Sequence, residues 1–380
     1  MEKFSAFRDP GTGIQPFLTP VSPVGSDVLK NILLPFGIVV GTIRTALILV
    51  LTLLYAVLVE GLCKLLVPLP PLHRTASHFF TAVIARLVLL LSGLLWIPVE
   101  HVTRKRGRGA KTKESWNPKA GDIIVSNWAS WVEILWLAFR FNPIFLVPVT
   151  SPVDLSSASR SSSPITSTPG RRTGTGSAAI STPNTRVSTP RARILGFRHV
   201  SLLSMITRTG TIPEDSDTIK DYGTLEEVRS KADRPIVIFP ECTTSNGRGL
   251  LKFSDVFNGV NVPVRKFKVF VMCVRYDPPT SLSPTLSHSI PSSFLNPLPH
   301  IFKVTSSLVP LTLSIRLLAQ SDSPSSGSFL LSDFLTGGQY DDPLSEICAA
   351  LISQIGKFKR TGMAWEDKAA FLQFYIEKRK

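Results

Sequence analysis

Two stretches hold residues whose types and spacing could do chemistry. In IIVSNWASWVE (residues 123–133) an apolar run ends in Ser126 and Asn127, with Ser130 and Glu133 following at three-residue intervals. In VIFPECTTSNGRGLLKF (237–253) a second run ends at Phe239–Pro240. Glu241 then opens a loop carrying Cys242, Thr243, Asn246, Arg248 and Lys252. Strand ends and the loops beyond them are common carriers of binding and catalytic groups. Backbone N–H groups in such a loop can hold an anion, and Arg248 or Lys252 can pair with a phosphate. Glu133 could act as a base if its pKa rose above the ordinary value of about 4.3. The thiol of Cys242 could carry an acyl group as a nucleophile, or simply fill space. Trp128 holds the most prominent position of the first stretch, and its indole cannot accept a proton.

An α/β pattern must position these groups. GDIIVSN (121–127), NPIFLVPV (142–149), RPIVIFPE (234–241), FKVFVMCVRY (267–276) and VPLTLSIRLL (309–318) read as strands, and WVEILWLAFRF (131–141) as an amphipathic helix. TIKDYGTLEEVRSKA (218–232) has helical periodicity. Apolar strands interleaved with helices predict a sheet covered on both faces.

Residues 31–67 are almost continuously apolar, interrupted before Val59 only by Arg44. The run exceeds the roughly 20 residues that cross a bilayer, and a central arginine costs about 2.5–3.5 kcal/mol there. It reads either as one long tilted span or as a hairpin that returns at Gly41–Arg44. Pro68, Pro70 and Pro71 are expected to end it. Residues 79–100, divided by Arg86, read as an interfacial helix. RKRGRGAKTK (104–113) is a basic cluster suited to anionic headgroups on the cytosolic side.

Lys and Arg outnumber Asp and Glu by 42 to 27, a net charge of +15, which suits an anionic partner. No zinc spacing, aromatic RNA-binding signature or basic zipper accompanies it, and the apolar N-terminal third disfavours nucleic acid. The four cysteines match neither a disulfide framework nor a metal site and read as reduced thiols. Residues 151–192, rich in Ser, Thr and Pro, read as a disordered insertion with candidate proline-directed phosphorylation sites. Residues 277–300 resemble it in composition and read as a second, low-complexity insertion.

Together, the two stretches resemble the first and third motifs of the PlsC-like glycerolipid acyltransferases, Asn-His-x4-Asp and Phe-Pro-Glu-Gly-Thr. Asn127, Ser130 and Glu133 match the spacing of the first; Phe239, Pro240, Glu241 and Thr243 match the third. The resemblance covers roughly residues 80–150 and 194–275. The opening MEKFSAFRDPGTGIQPFL and closing AWEDKAAFLQFYIEKRK resemble a fungal lysophosphatidic acid acyltransferase subgroup of the endoplasmic reticulum and lipid droplets. The resemblance implies acyl transfer from acyl-CoA, as co-substrate, to a lysophospholipid, with no bound cofactor. A histidine would take the hydroxyl proton, an aspartate would orient it, and the third motif would help hold the phosphate. Here Trp128 holds the histidine position and Glu133 the aspartate position, while Cys242 replaces the motif glycine and Thr244 its basic residue. The second-motif arginine is missing, and TGTIPED (209–215) occupies that region. His199 is a further candidate base. The absent histidine favours the alternative of a catalytically impaired lysophospholipid- or acyl-CoA-binding protein.

The expected organisation is therefore a membrane-anchored α/β acyltransferase fold. Residues 1–30 form a cytosolic segment and 31–100 the anchoring helices. Residues 101–150 and 193–380 form the two parts of a cytosol-facing domain, the latter ending in a helix.

Overall fold

A computed structural model describes residues 2–23, 28–104, 116–152, 191–327, 329–334 and 340–378. Nearly all of the expected insertion, with its phosphorylation sites, and of the basic cluster lies outside the described residues.

The chain folds as mixed α/β. Helices α1 (Val28–Tyr55) and α2 (Pro70–Leu91) come first. Strands β1 (Val99–Val102) and β2 (Ile123–Ser126) follow, then α3 (Val132–Phe141), β3 (Ile144–Thr150), β4 (Ile194–Val200), α4 (Leu202–Thr207) and β5 (Glu214–Asp215). Next come α5 (Leu225–Lys231), β6 (Ile236–Ile238), β7 (Gly249–Leu250), β8 (Val269–Tyr276), α6 (Leu298–Thr305) and β9 (Leu313–Leu318). Helix α7 (Pro343–Gly356), β10 (Lys359–Arg360) and α8 (Trp365–Glu377) complete the described elements.

The main sheet runs β1-β9-β8-β2-β6-β3-β4, with β5 beside β3. Strand β2 lies at its centre, parallel to both β6 and β8. Its run of buried β-branched residues fits a strand covered on both faces. Alternation sends Ile124, Val237, Phe270, Met272, Val274 and Tyr276 to one core, beside α2, α3 and α6. Ile123, Val125, Ile236, Ile238, Val269 and Val271 face a second core, beside α7.

Helix α1 is continuous through Gly41–Arg44, which matches the long-helix alternative rather than the hairpin. Gly37, Gly41, Thr45, Ile48 and Tyr55 make one buried stripe against the domain. A Cβ at Gly37 would lie 2.8 Å from the Ser306 carbonyl oxygen, so the glycines permit close approach to the end of α6. Arg44 donates to the carbonyls of Thr305 (3.3 Å) and Ser307 (3.0 Å), which offsets the isolated charge. Phe36, Ile43, Val50 and Leu53 point outward and are exposed.

The second apolar helix begins at Pro70, within the proline run expected to separate the elements, because proline is tolerated in a first helical turn. It ends at Leu91 rather than near 100, and Val99–Val102 is an edge strand paired with β9. Arg86 folds back onto the carbonyls of Leu94 and Leu95, at 3.2 and 2.7 Å. Both N-terminal helices are long and apolar enough to cross a membrane.

Candidate functional site

Strands β2 and β6 run parallel with Val125 opposite Ile238, so both deliver their following residues to one edge of the sheet. Strand β8 runs the same way and extends beyond β2 to Tyr276. Three segments, the first more than a hundred residues of chain before the other two, thus converge there.

Asn127 continues the pairing of β2 with β8 through its side chain. Its Nδ2 donates to the Val274 carbonyl (2.9 Å), and its Oδ1 accepts from the Val274 N–H (2.8 Å). Trp128 is buried, stacks on Phe239, and donates through Nε1 to the Ser130 carbonyl (3.1 Å). Its backbone N–H donates to Glu241 Oε1 at 2.8 Å, and Leu251 N–H donates to Oε2 at 3.1 Å. Glu241 therefore ties the two motif loops together.

Glu133 stands in the first turn of α3 and reaches back. Its Oε1 accepts from the N–H groups of Ala129 and Ser130, the latter at 2.7 Å, as an acid at a helix start commonly does. Its Oε2 accepts the hydroxyl of Tyr276. Ser130, also buried, has its Oγ only at the margin of reach of the Val132 N–H (3.5 Å).

Burial pushes the Glu133 carboxyl up to about 7, against the downward pull of its three donors. It pushes Glu241 up to about 8, with the nearby Glu133 adding to the rise. Burial also holds the Tyr276 hydroxyl protonated, well above its ordinary value.

Cys242 has a backbone φ of 57°, a left-handed conformation unusual for a residue with a Cβ. This explains physically why a glycine would suit the position. The thiol is buried and pushed up to about 12, which removes it as a nucleophile near neutral pH. Thr243 donates to the Thr211 carbonyl (2.6 Å) and accepts from the Lys368 ammonium (2.8 Å). Asn246 binds the N-terminal segment, donating to the carbonyls of Gln15 and Leu18 at 2.7 and 3.0 Å.

A polar cleft of about 230 Å³ opens beside these loops, lined by Asn246, Arg248, Arg275, Tyr276, Asp277 and Lys357 among others. Arg248, Arg275 and Lys357 are exposed and have no ion-pair partner among the described residues. A larger cavity of about 590 Å³ adjoins it, sharing Pro20, Pro279 and Thr285 as walls. Leu33, Leu34 and Ile38 of α1, with Leu282, Leu308 and Val309, make its surface apolar.

Of the expected site residues, Asn246 and Arg248 line the cleft. Asn127, Trp128, Ser130, Glu133, Glu241, Cys242 and Thr243 lie buried behind it. Lys252 is exposed outside it; burial of its amine and nearby Arg191 push its pKa down, while Glu346, Asp255 and Glu366 pull it up. His199 is exposed on edge strand β4, three strands from β2. No group of acids, histidines and cysteines able to hold a metal occurs among the described residues.

Several residues here escaped sequence reasoning. Lys368 of α8 is wholly buried and bonds Thr243 Oγ1, the Thr244 carbonyl (2.8 Å) and Thr244 Oγ1 (3.2 Å). Residues 277–300, expected as an insertion, also pack here. His288 N–H donates to the Ala129 carbonyl at 2.7 Å, and the rings of His288 and His300 lie 4.6 Å apart. Trp131 Nε1 donates to His300 Nδ1 at 2.9 Å. Burial pushes His288 down to about 4 and His300 to about 3, so both are neutral at neutral pH.

No protein-family model matches the chain, and no solved structure matches it. Among curated proteins it is similar to one from Schizosaccharomyces pombe named "Putative lysophosphatidic acid:oleoyl-CoA acyltransferase". The two are 25% identical over 293 residues, covering 76% of this chain and 77% of that protein. This likeness suggests an acyltransferase relationship.

Proposed function

We propose that the protein transfers an acyl chain from acyl-CoA to a lysophospholipid, with lysophosphatidic acid the first candidate. It would thereby serve phosphatidic acid and triacylglycerol synthesis. The observation that carries this reading is the pairing of the two cavities. Arg248, Arg275 and Lys357, without an ion-pair partner among the described residues, offer positive charge to a phosphate, and the adjoining apolar cavity beside α1 suits a single fatty chain. The name of the similar protein supports both substrates. The exposed apolar faces of α1 and α2 support membrane attachment. The proposed location is the endoplasmic reticulum membrane and lipid droplets, with the domain in the cytosol.

Trp128 favours a second reading, a protein that binds lysophospholipid or acyl-CoA without turnover, because its stacked indole fills the position of a base.

The headgroup assignment is tested by replacing Arg275 and Lys357 together with alanine. Transfer to lysophosphatidic acid should then show a KM raised roughly 10–100-fold, with a much smaller change for uncharged monoacylglycerol. Equal effects on the two acceptors would remove the phosphate from this cleft.

A further inference from the structure

The buried dyad beside the cleft has the parts of a proton path. Tyr276 ends β8 and lines the cleft between Arg275 and Asp277, with its side chain buried. Its hydroxyl bonds Glu133 Oε2, and Glu133 Oε1 is pinned by two backbone N–H groups, so the carboxylate is held facing the tyrosine. Gly247 has φ +73°, and a Cβ there would lie 3.6 Å from Tyr276 Cδ2 and 3.7 Å from Ala129 Cβ. The glycine, itself in the cleft wall, thus packs directly beside the tyrosine ring.

The other candidate bases are poorly placed. His199 stands on a distant edge strand, Cys242 is held as a thiol, and His300 is committed to Trp131 and Thr285. We infer that Tyr276 is the catalytic residue that receives the acceptor's hydroxyl proton, with Glu133 behind it as the positioning residue and proton sink. This rests on the acyl-transfer reading above and replaces the histidine that Trp128 excludes.

The step balances without any further reagent. The acceptor oxygen attacks the thioester carbonyl carbon, forming a C–O bond. Its proton passes to Tyr276 Oη as the tyrosine proton passes to Glu133 Oε2. Collapse of the tetrahedral intermediate breaks the C–S bond. The proton then returns through Tyr276 to the leaving sulfur, giving ester and free thiol. The raised pKa of Glu133 suits an acceptor that must both take and return a proton near neutral pH. The high pKa of Tyr276 keeps it a relay rather than a source of free phenolate.

A purely structural role is the competing explanation, since Glu133 also caps α3. The test uses the full chain in lipid vesicles with an acyl-CoA and lysophosphatidic acid, measuring kcat, KM and their pH dependence alongside thermal melting. Tyr276→Phe should lower kcat roughly 100-fold or more, with KM within about threefold of wild type. Wild-type kcat should rise with pH through about 7, and Glu133→Gln should be slow and lose that limb. Tyr276→Phe turning over within about fivefold of wild type would overturn the proton path alone. If that variant fails to fold, the wild-type profile and Glu133→Gln decide, and a flat wild-type profile between about pH 6 and 8 overturns it. Absence of any transfer by the wild type would overturn the acyl-transfer reading and the proton path together.

Discussion

The indole of Trp128 stacks on the ring of Phe239, with centroids 5.1 Å apart and planes inclined by 25°. The contact joins the second residue after β2 to the first residue after β6, and the bond from Trp128 N–H to Glu241 reinforces it. The position that resembles a catalytic histidine is thus occupied by a residue that fastens two loops. Trp128→Ala should destabilise the protein by about 3–5 kcal/mol, because a large buried aromatic is lost and the cavity collapses only in part. Denaturant unfolding checks this; a change under about 1 kcal/mol would mean the stack contributes little.

The motif strands and α3 were legible because their apolar runs are long and strongly patterned. The shared edge was legible too, since parallel strands place their carboxyl ends together. The chemistry around it was harder to read. Tyr276 follows Phe270, Met272 and Val274 at a spacing of two, so strand parity alone places it on the α3 face; its partner Glu133 lies 143 residues away. Lys368 stands three residues from Trp365 and from Phe371 on the buried face of α8, and a charge there was the available signal. Residues 277–300 were hidden by their Ser and Pro content, which usually marks a segment without a core. Here backbone bonds such as His288 to Ala129 fix the segment instead. Gly41 and Arg44 left a long helix and a hairpin both open in the sequence; in the fold the glycine serves helix approach and the arginine finds carbonyls at the end of α6.

Acid should weaken the fold through the neutral histidine pair. His288 and His300 are pushed down to about 4 and 3 from an ordinary 6.5, so between these values the unfolded chain binds more protons and their contribution to stability is lost as pH falls. Glu133 acts oppositely between 4.5 and about 7, where the folded state holds the extra proton. Glu241, pushed up to about 8, acts in the same sense as Glu133, so two carboxyls oppose the two histidines. The histidine contribution is read by comparing the wild type with a His288→Asn/His300→Gln variant, which should lose less stability, or gain more, from pH 6.5 to 4.5. Unfolding free energies of both proteins across that range check the sign, and the same pH dependence in the two would place the histidines elsewhere than in a buried neutral pair.

The two N-terminal helices should keep the protein on membranes after high-salt and carbonate washes. Their exposed apolar faces bind lipid without help from charge, and screening acts only on charge. Gly41→Leu should retain that attachment while lowering thermal stability, because its side chain would meet Ser306 and push α1 away from α6. Release of the intact wild-type protein by salt alone would leave only electrostatic attachment.

The most direct measurement of the central claim is single-vesicle-population acyl transfer by the purified full chain, following labelled acyl groups from acyl-CoA into phospholipid with lysophosphatidic acid as acceptor. The cavity pair and the Tyr276–Glu133 couple predict time-dependent formation of phosphatidic acid above a protein-free control, strongly slowed in Glu133→Gln. Saturable binding of lysophosphatidic acid with no labelled product across several acyl-CoA chain lengths would contradict it and leave a binding protein.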